Sequence, residues 1–273
     1  MSKTGIFLDV PDAEYFAIDA HSQSSLKPLL VSPAEYKWRL QYGIKVSDAM
    51  RWGKALDACM SNNTTDVLNK PPFLIIPKDY ADKRLKPYKE WIKKQEITDD
   101  TIILSHDDAE AVNSAYEALW LHSSEDLKAS SMLFAEKAIR QAVIIWEDEI
   151  GLCKAKLDCY NPDYGLIDLK TTHKPLDNAG KSIATYGYHI QAAWYLRGWH
   201  ILTGQSLPWW FVWVKSTPVH QVEIGMLDKK SIAVGNKQIE KIIVSWRRCN
   251  ETGHWPSTTG KVHTYSLPGY YKE

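Results

Sequence analysis

Residues Gly151–Thr172 read GLCKAKLDCYNPDYGLIDLKTT. GLCKAKLDCY and GLIDLKTT each have strand character, and NPDYG between them is a turn built from Asn, Pro, Asp and Gly, so the stretch reads as a β-hairpin. Asp158 ends its first strand. Asp168 and Lys170 lie two apart on the second, so their side chains share a face while Ile167 and Leu169 point to the core. Two carboxylates and an ammonium thereby converge at one edge of an otherwise apolar hairpin. Such a group is costly unless compensated, and a divalent cation bound by both carboxylates would compensate it. A lysine beside that ion can position or help deprotonate a water while the ion polarises a phosphorus–oxygen bond. A surface salt bridge gives the same triple, and spacing alone leaves both readings open.

Upstream, IRQAVIIWED reads as a preceding strand. Downstream come a helix from about Ile183 to Leu202 closed by Gly204, and then two strands, PWWFVWVKS and HQVEIGML. A last helix opens at Asp228 and buries Ile232, Ile239, Ile242 or Ile243, and Trp246. The first half is helical at SSLKPLL, at PAEYKWRLQY behind Ser32, and at SDAMRWGKALDACM from Ser47. FLIIP and TIILS are short strands around a helix at Lys83–Lys94, and another helix starts near Ser105. These elements predict an α/β fold: a central mixed sheet flanked by helices, with an N-terminal helical segment. One domain is expected over 1–273, with 1–130 mainly a helical cleft wall and 131–273 the sheet core.

The composition excludes several classes. The chain has 273 residues, 33 Lys+Arg against 33 Asp+Glu, 44% hydrophobic residues and twelve tryptophans. Disorder and collagen are excluded, and a chain this long buries enough surface to need no staples. No apolar run reaches the length of a membrane span and the first residues lack the order of a signal peptide, so the expected compartment is the cytoplasm. Cys59, Cys153, Cys159 and Cys249 are scattered, which argues for buried thiols over a zinc or iron–sulfur site. Charge is uneven: Lys27, Lys37, Arg39, Lys45, Arg51 and Lys54 face only Glu35 and Asp48 within 27–54, whereas 99–126 contains acids and no Lys or Arg. Both blocks read as solvated helix faces, and with the lysines of 83–94 the first could also serve as a track for an anionic partner.

Asp158, IDLK at Ile167–Lys170 and Thr171-Thr172 resemble the PD-(D/E)XK nuclease signature. More narrowly, Gly151–Thr172 looks like the core of the RecE-type exonucleases, the exonuclease VIII family of phage and prophage recombination. SSLKPLLVSPAEY resembles that family's N-terminal helices, MRWGKALDACM its glycine-containing helix, QAAWY its Gln-x-x-x-Tyr helix and TGHWPS its closing stretch. Gln191 and Tyr195, four apart, share a helix face and could reach one cleft.

The resemblance implies a Mg²⁺-dependent 5′-to-3′ exonuclease, with Mn²⁺ as a substitute, that resects linear double-stranded DNA for recombination by single-strand annealing. The implied catalytic residues are Asp158, Asp168, Lys170, Gln191 and Tyr195. The implied metal ligands are Asp158, Asp168, the Leu169 main-chain carbonyl and Asp57. Implied partners are duplex ends, an annealing protein and copies of the chain in a ring, without a membrane, in a bacterial cytoplasm. Two departures support an alternative, a catalytically impaired DNA-end or partner-binding module: Asp57 stands where relatives carry histidine, and Gln141 where they place an acid, with Glu136 a poor substitute. Trp209 and Trp213 share a strand face opposite Trp210, and any of them, or Trp52 beside Arg51, could pack in the core or stack on a base.

Overall fold

Two mixed sheets share a break, and the candidate site lies at that break. The computed structural model describes residues 4–43, 47–62, 64, 67–98, 101–257, 262 and 264–266. In chain order the relevant strands are β1 (Gly5–Phe7), β2 (His21–Ser22), β3 (Ile139–Arg140), β4 (Val143–Asp148), β5 (Gly151–Lys156), β6 (Cys159–Asn161), β7 (Gly165–Thr172), β8 (Trp209–Lys215) and β9 (Val222–Met226). One sheet has the order β1-β4-β5-β2 and the other β9-β8-β7-β6-β3. β7 and β8 are parallel, with Asp168 opposite Phe211 and Lys170 opposite Trp213. The neighbours of this pair are antiparallel.

IRQAVIIWED and GLCKAKLDCY, each expected as one strand, are both interrupted. Gln141 adopts a left-handed φ of 54°, and the ladder stops there on one side and at Leu157-Asp158 on the other. Main-chain bonds still cross the gap, from Leu157 N–H to Ala142 O (2.8 Å) and from Gln141 N–H to Asp158 O (3.2 Å). Asp158 therefore sits in the gap between β5 and β6.

The helices that frame the site are α1 (Asp12–Ala17), α2 (Pro33–Tyr42), α3 (Asp48–Ser61), α4 (His106–Leu121), α5 (Ala179–Tyr186), α6 (Tyr188–Thr203) and α7 (Lys229–Thr252). The helix expected over 183–202 starts earlier and breaks at Gly187, whose φ of 68° requires a residue without Cβ strain. The helix expected at 83–94 spans only Lys86–Ile92. α6 and α7 cover one face of β7 and β8, where Trp194 and Ile239 join Leu166, Phe211 and Trp213. α3 and α4 cover the other, where Leu56 and Val112 join Ile167, Leu169 and Val212. Both faces of β7 are thus core, and Asp168, expected at an edge, is 1% exposed. α6 and α7 approach so closely at Gly235 that a Cβ there would lie 2.2 Å from the His189 carbonyl oxygen.

The N-terminal residues close the first sheet at both ends: β1 lies along β4 and β2 along β5. Between them, α1 is held by Lys154, whose buried ammonium donates to the carbonyl oxygens of Tyr15 (2.7 Å) and Ile18 (2.8 Å). These carbonyls lie at the C-terminal end of α1, where the helix dipole suits a cation. The four cysteines are buried free thiols. Among the described residues no helix is long and apolar enough to cross a membrane.

Candidate active site

β7 carries Asp168 and Lys170 towards α6. Asp168 Oδ1 accepts a 2.8 Å hydrogen bond from Gln191 Nε2, and its Oδ2 lies 2.5 Å from Lys170 Nζ without any further well-directed donor. The Lys170 ammonium lies 4.8 Å from the ring centroid of Tyr188, a cation–π contact with the first residue of α6. From the strand gap, Asp158 Oδ2 accepts the Leu169 N–H at 2.9 Å. β6 pairs with β7 only up to Ile167, so the next stretch of the β7 edge is left to Asp158. N–H and C=O of one strand residue project to the same edge, which turns the Leu169 carbonyl to this side too. Tyr195 is hydrogen-bonded to Gln191, and its ring meets Trp209 edge-on at 5.6 Å. Asp57 approaches from α3, close enough to interact electrostatically with Asp158, Lys170 and Asp168.

A strand gap, two aspartates, a lysine two positions on, and a glutamine from the next long helix form this arrangement, and the comparisons with known proteins agree with it. Residues 22–268 match the family model described as "PDDEXK-like domain of unknown function (DUF3799)". The chain belongs to this family. A crystal structure from Eubacterium rectale, provisionally described as an exonuclease, is similar over 96% of this chain and 97% of that one, with a TM-score of 0.62 at 13% identity. At that identity the likeness establishes the fold, which is that of the PD-(D/E)XK nucleases. No curated protein matches the sequence.

The electrostatics of this PDDEXK-like site follow from three carboxyl groups set around one ammonium. Burial raises Asp57 well above the usual carboxylate range, and the charges of Asp158 and Asp168 add to it. Asp158 is raised by burial against the pull of Lys170. Asp168 is raised by burial to about 7, with Lys170 opposing and Asp158 reinforcing. Burial pulls Lys170 down, but Asp168 and Asp158 more than offset it, so the ammonium stays charged. Three carboxyl groups around one ammonium, one with an oxygen that lacks a directed donor, fit a hard divalent cation, which PD-(D/E)XK nucleases use. The three are not a closed cage. Among the described residues, the only three His, Cys, Asp or Glu donors within 4.8 Å of one another are His106, Asp107 and Glu110, on the first turn of α4. Asp57, Asp158 and Asp168 interact electrostatically without all three closing to that distance.

A pH dependence follows. A carboxyl whose folded pKa exceeds its unfolded value near 4 binds its proton more tightly when folded. In the metal-free protein this cluster's contribution to stability should therefore be fully present below about pH 4 and be lost as pH rises towards about 7, through the Asp168 titration. Asp57→Asn removes one of the repelling charges. Thermal melts in chelator should give this variant a higher Tm than wild type at about pH 8 and a shallower decline with pH; a lower Tm there would show that Asp57 is not strained by its neighbours.

Other candidates lie elsewhere. Glu136 is exposed, and Gln141 serves the strand break through its main chain. Trp209 and Trp213 are core residues, and Trp210 donates its indole N–H to the Tyr164 carbonyl oxygen at 2.8 Å. Trp52 is 7% exposed and stacks on His220, and Arg51 pairs with Asp48. These contacts account for the tryptophans without a base. The basic block is partly neutralised: Arg39 pairs with Glu35, Lys54 with Asp12, and Lys27 donates to the Tyr186 carbonyl oxygen, while Lys45 lies outside the described residues. Sequence reading missed Tyr188, although Tyr188, Gln191 and Tyr195 fall at i, i+3 and i+7 on one helix face.

Proposed function

We propose that the protein is a divalent-metal-dependent deoxyribonuclease of the RecE type that resects one strand of linear duplex DNA from its 5′ end, leaving single strands for annealing. One observation carries it: Asp168 lies against Lys170 with Gln191 holding its other oxygen, and Asp158 is fixed beside them by the Leu169 N–H. Support for the narrower RecE type is that three separate sequence resemblances, the hairpin, the glycine-containing helix and the Gln-x-x-x-Tyr helix, meet in one cleft. Gly53 of α3 packs directly on Thr171, 3.3 Å from its hydroxyl by an added Cβ. The 5′ polarity, the ring of subunits, the annealing partner and a phage or prophage setting in bacterial cytoplasm belong to this same reading.

Asp158 and Asp168, with the Leu169 carbonyl and Asp57 as further oxygens, would hold Mg²⁺ or Mn²⁺, which supplies Lewis-acid polarisation of the phosphoryl group and offsets charge developing on it. The chain's own residues do the rest. Lys170, a charged ammonium beside Asp168, donates to the attacking water and the phosphate oxygens and orients both. Gln191 holds the Asp168 rotamer, and Tyr195, buried behind it, fixes Gln191.

The test is incubation of linear and of closed circular duplex with Mg²⁺, using wild type and Asp168→Ala. Wild type should shorten only the linear DNA, from the 5′ end by end-label, and the variant should not. Equal degradation by both, or by neither, removes the nuclease reading. Asp57 in place of histidine favours a second reading, a binding module without cleavage, for which calorimetry would show metal and DNA binding with no product.

A further inference from the structure

Beside the carboxylate cluster lies a second charged group that the cleavage chemistry above does not use. Lys156 Nζ lies 2.5 Å from Asp12 Oδ1 and 3.3 Å from the Val10 carbonyl oxygen, and Lys54 Nζ lies 3.4 Å from Asp12 Oδ2. Two ammonium groups share one carboxylate, which leaves a net positive charge there. Both cations are in register with the site. Lys156, the last residue of β5, lies two residues before Asp158 and close enough to act on its charge, and Lys54 is one helical turn before Asp57 on α3. The group is reachable from solvent, with side-chain exposures of 38% for Lys54, 33% for Asp12 and 17% for Lys156.

Asp12 is held in place from outside the group, because Lys154 grips the other end of α1. The lysine Nζ atoms, at the ends of long stems, can turn to a new partner without moving the backbone. The Lys54–Asp12 pair, 3.4 Å apart and the more exposed of the two, is weak enough to exchange, and phosphate is the anion that a nuclease cleft must admit.

We propose that Lys54 and Lys156 bind a phosphate of the DNA strand flanking the scissile one, and that Asp12 is an internal stand-in which this phosphate displaces. The inference rests on the nuclease reading but concerns binding, not cleavage. Asp12 then lowers affinity for DNA and keeps the lysines from collapsing onto Asp57 and Asp158 when no substrate is present.

The experiment is fluorescence anisotropy of the full chain with a labelled linear duplex in Ca²⁺, alongside cleavage in Mg²⁺ and a melt of each variant. Lys54→Met should raise Kd about eightfold at ~0.1 M salt and reduce the log–log salt slope by about 0.9, the signature of one lost phosphate contact. Lys54→Arg should restore both. Asp12→Asn should lower Kd about two- to fivefold, as expected when one surface ion pair is released. Duplexes with 5′-phosphate and 5′-hydroxyl ends distinguish the source: equal effects on both mean an internal phosphodiester, and an effect confined to the phosphorylated end means the terminal phosphate. If wild type cleaves but Lys54→Met binds with unchanged Kd and slope, or Asp12→Asn binds more weakly, the phosphate site is refuted and the nuclease stands. If wild type neither binds nor cleaves duplex, the nuclease reading itself fails.

Discussion

Lys170→Met should slow strand cleavage about 10³-fold while leaving a metal-dependent rise in Tm in place. Methionine keeps most of the stem volume against Tyr188 and removes the charge, and the oxygen donors Asp158, Asp168 and Leu169 are untouched. The two readouts separate a role in orienting water from a role in metal binding. Loss of the metal-dependent Tm shift together with activity would assign Lys170 to shaping the carboxylate cluster, and a rate within tenfold of wild type would remove it from the chemistry. Lys170→Arg should not restore the rate, because a planar fork cannot occupy the space of a compact ammonium between Asp168 Oδ2 and the Tyr188 ring.

Gly235→Ala should cost about 3 kcal/mol or more of stability, read as a lower urea midpoint at unchanged slope. The added Cβ would meet the His189 carbonyl oxygen at 2.2 Å and the Ala193 Cβ at 2.8 Å, and a main-chain oxygen cannot turn aside as a flexible side chain would. α6 and α7 must separate, loosening the packing around Ile239 and Trp194. Because α6 carries Tyr188, Gln191 and Tyr195, activity should fall more than the folded fraction does. Gly180→Ala is the control. That glycine lies in α5 with nothing within 4 Å of an added Cβ, so the substitution should be neutral or stabilise by up to about 1 kcal/mol. Equal losses in both variants would mean that helix approach at Gly235 is not the cause.

Helix starts were legible because their chemistry is local. Ser32, Ser47, Ser105 and Asp228 each accept a first-turn N–H with the side chain, as their sequence context predicts. Asp168 and Lys170 were legible as neighbours because a two-residue offset on a strand fixes a shared face. What surrounds them was not. β7 is covered on both sides, so Leu166 and Ile167 are both buried and alternation gives no sign of which face holds the site. The break beside Asp158 is produced by Gln141 in a left-handed conformation, and glutamine carries none of the composition signal that Gly or Asn would. The break at Gly187 was readable in principle, but the helical periodicity on either side of it masked it. Asp12 was invisible as a partner of Lys54 and Lys156 because those pairings span 42 and 144 positions. Long-range charge pairing leaves no periodic trace.

The way residues 5–22 are tied in bears on where the protein can be cut. The family match begins at residue 22, yet β1 and α1 precede that point and β2 straddles it. A version shortened to that boundary would expose both rims of the β1-β4-β5-β2 sheet as unpaired backbone, the usual template for intermolecular aggregation. It would also strand the Lys154 ammonium in a pocket built around carbonyls that are gone, and remove Asp12. The family match therefore outlines a recognisable unit that is smaller than the unit expected to stay in solution, and the twenty-one residues before it make the difference between a workable reagent and an aggregating one.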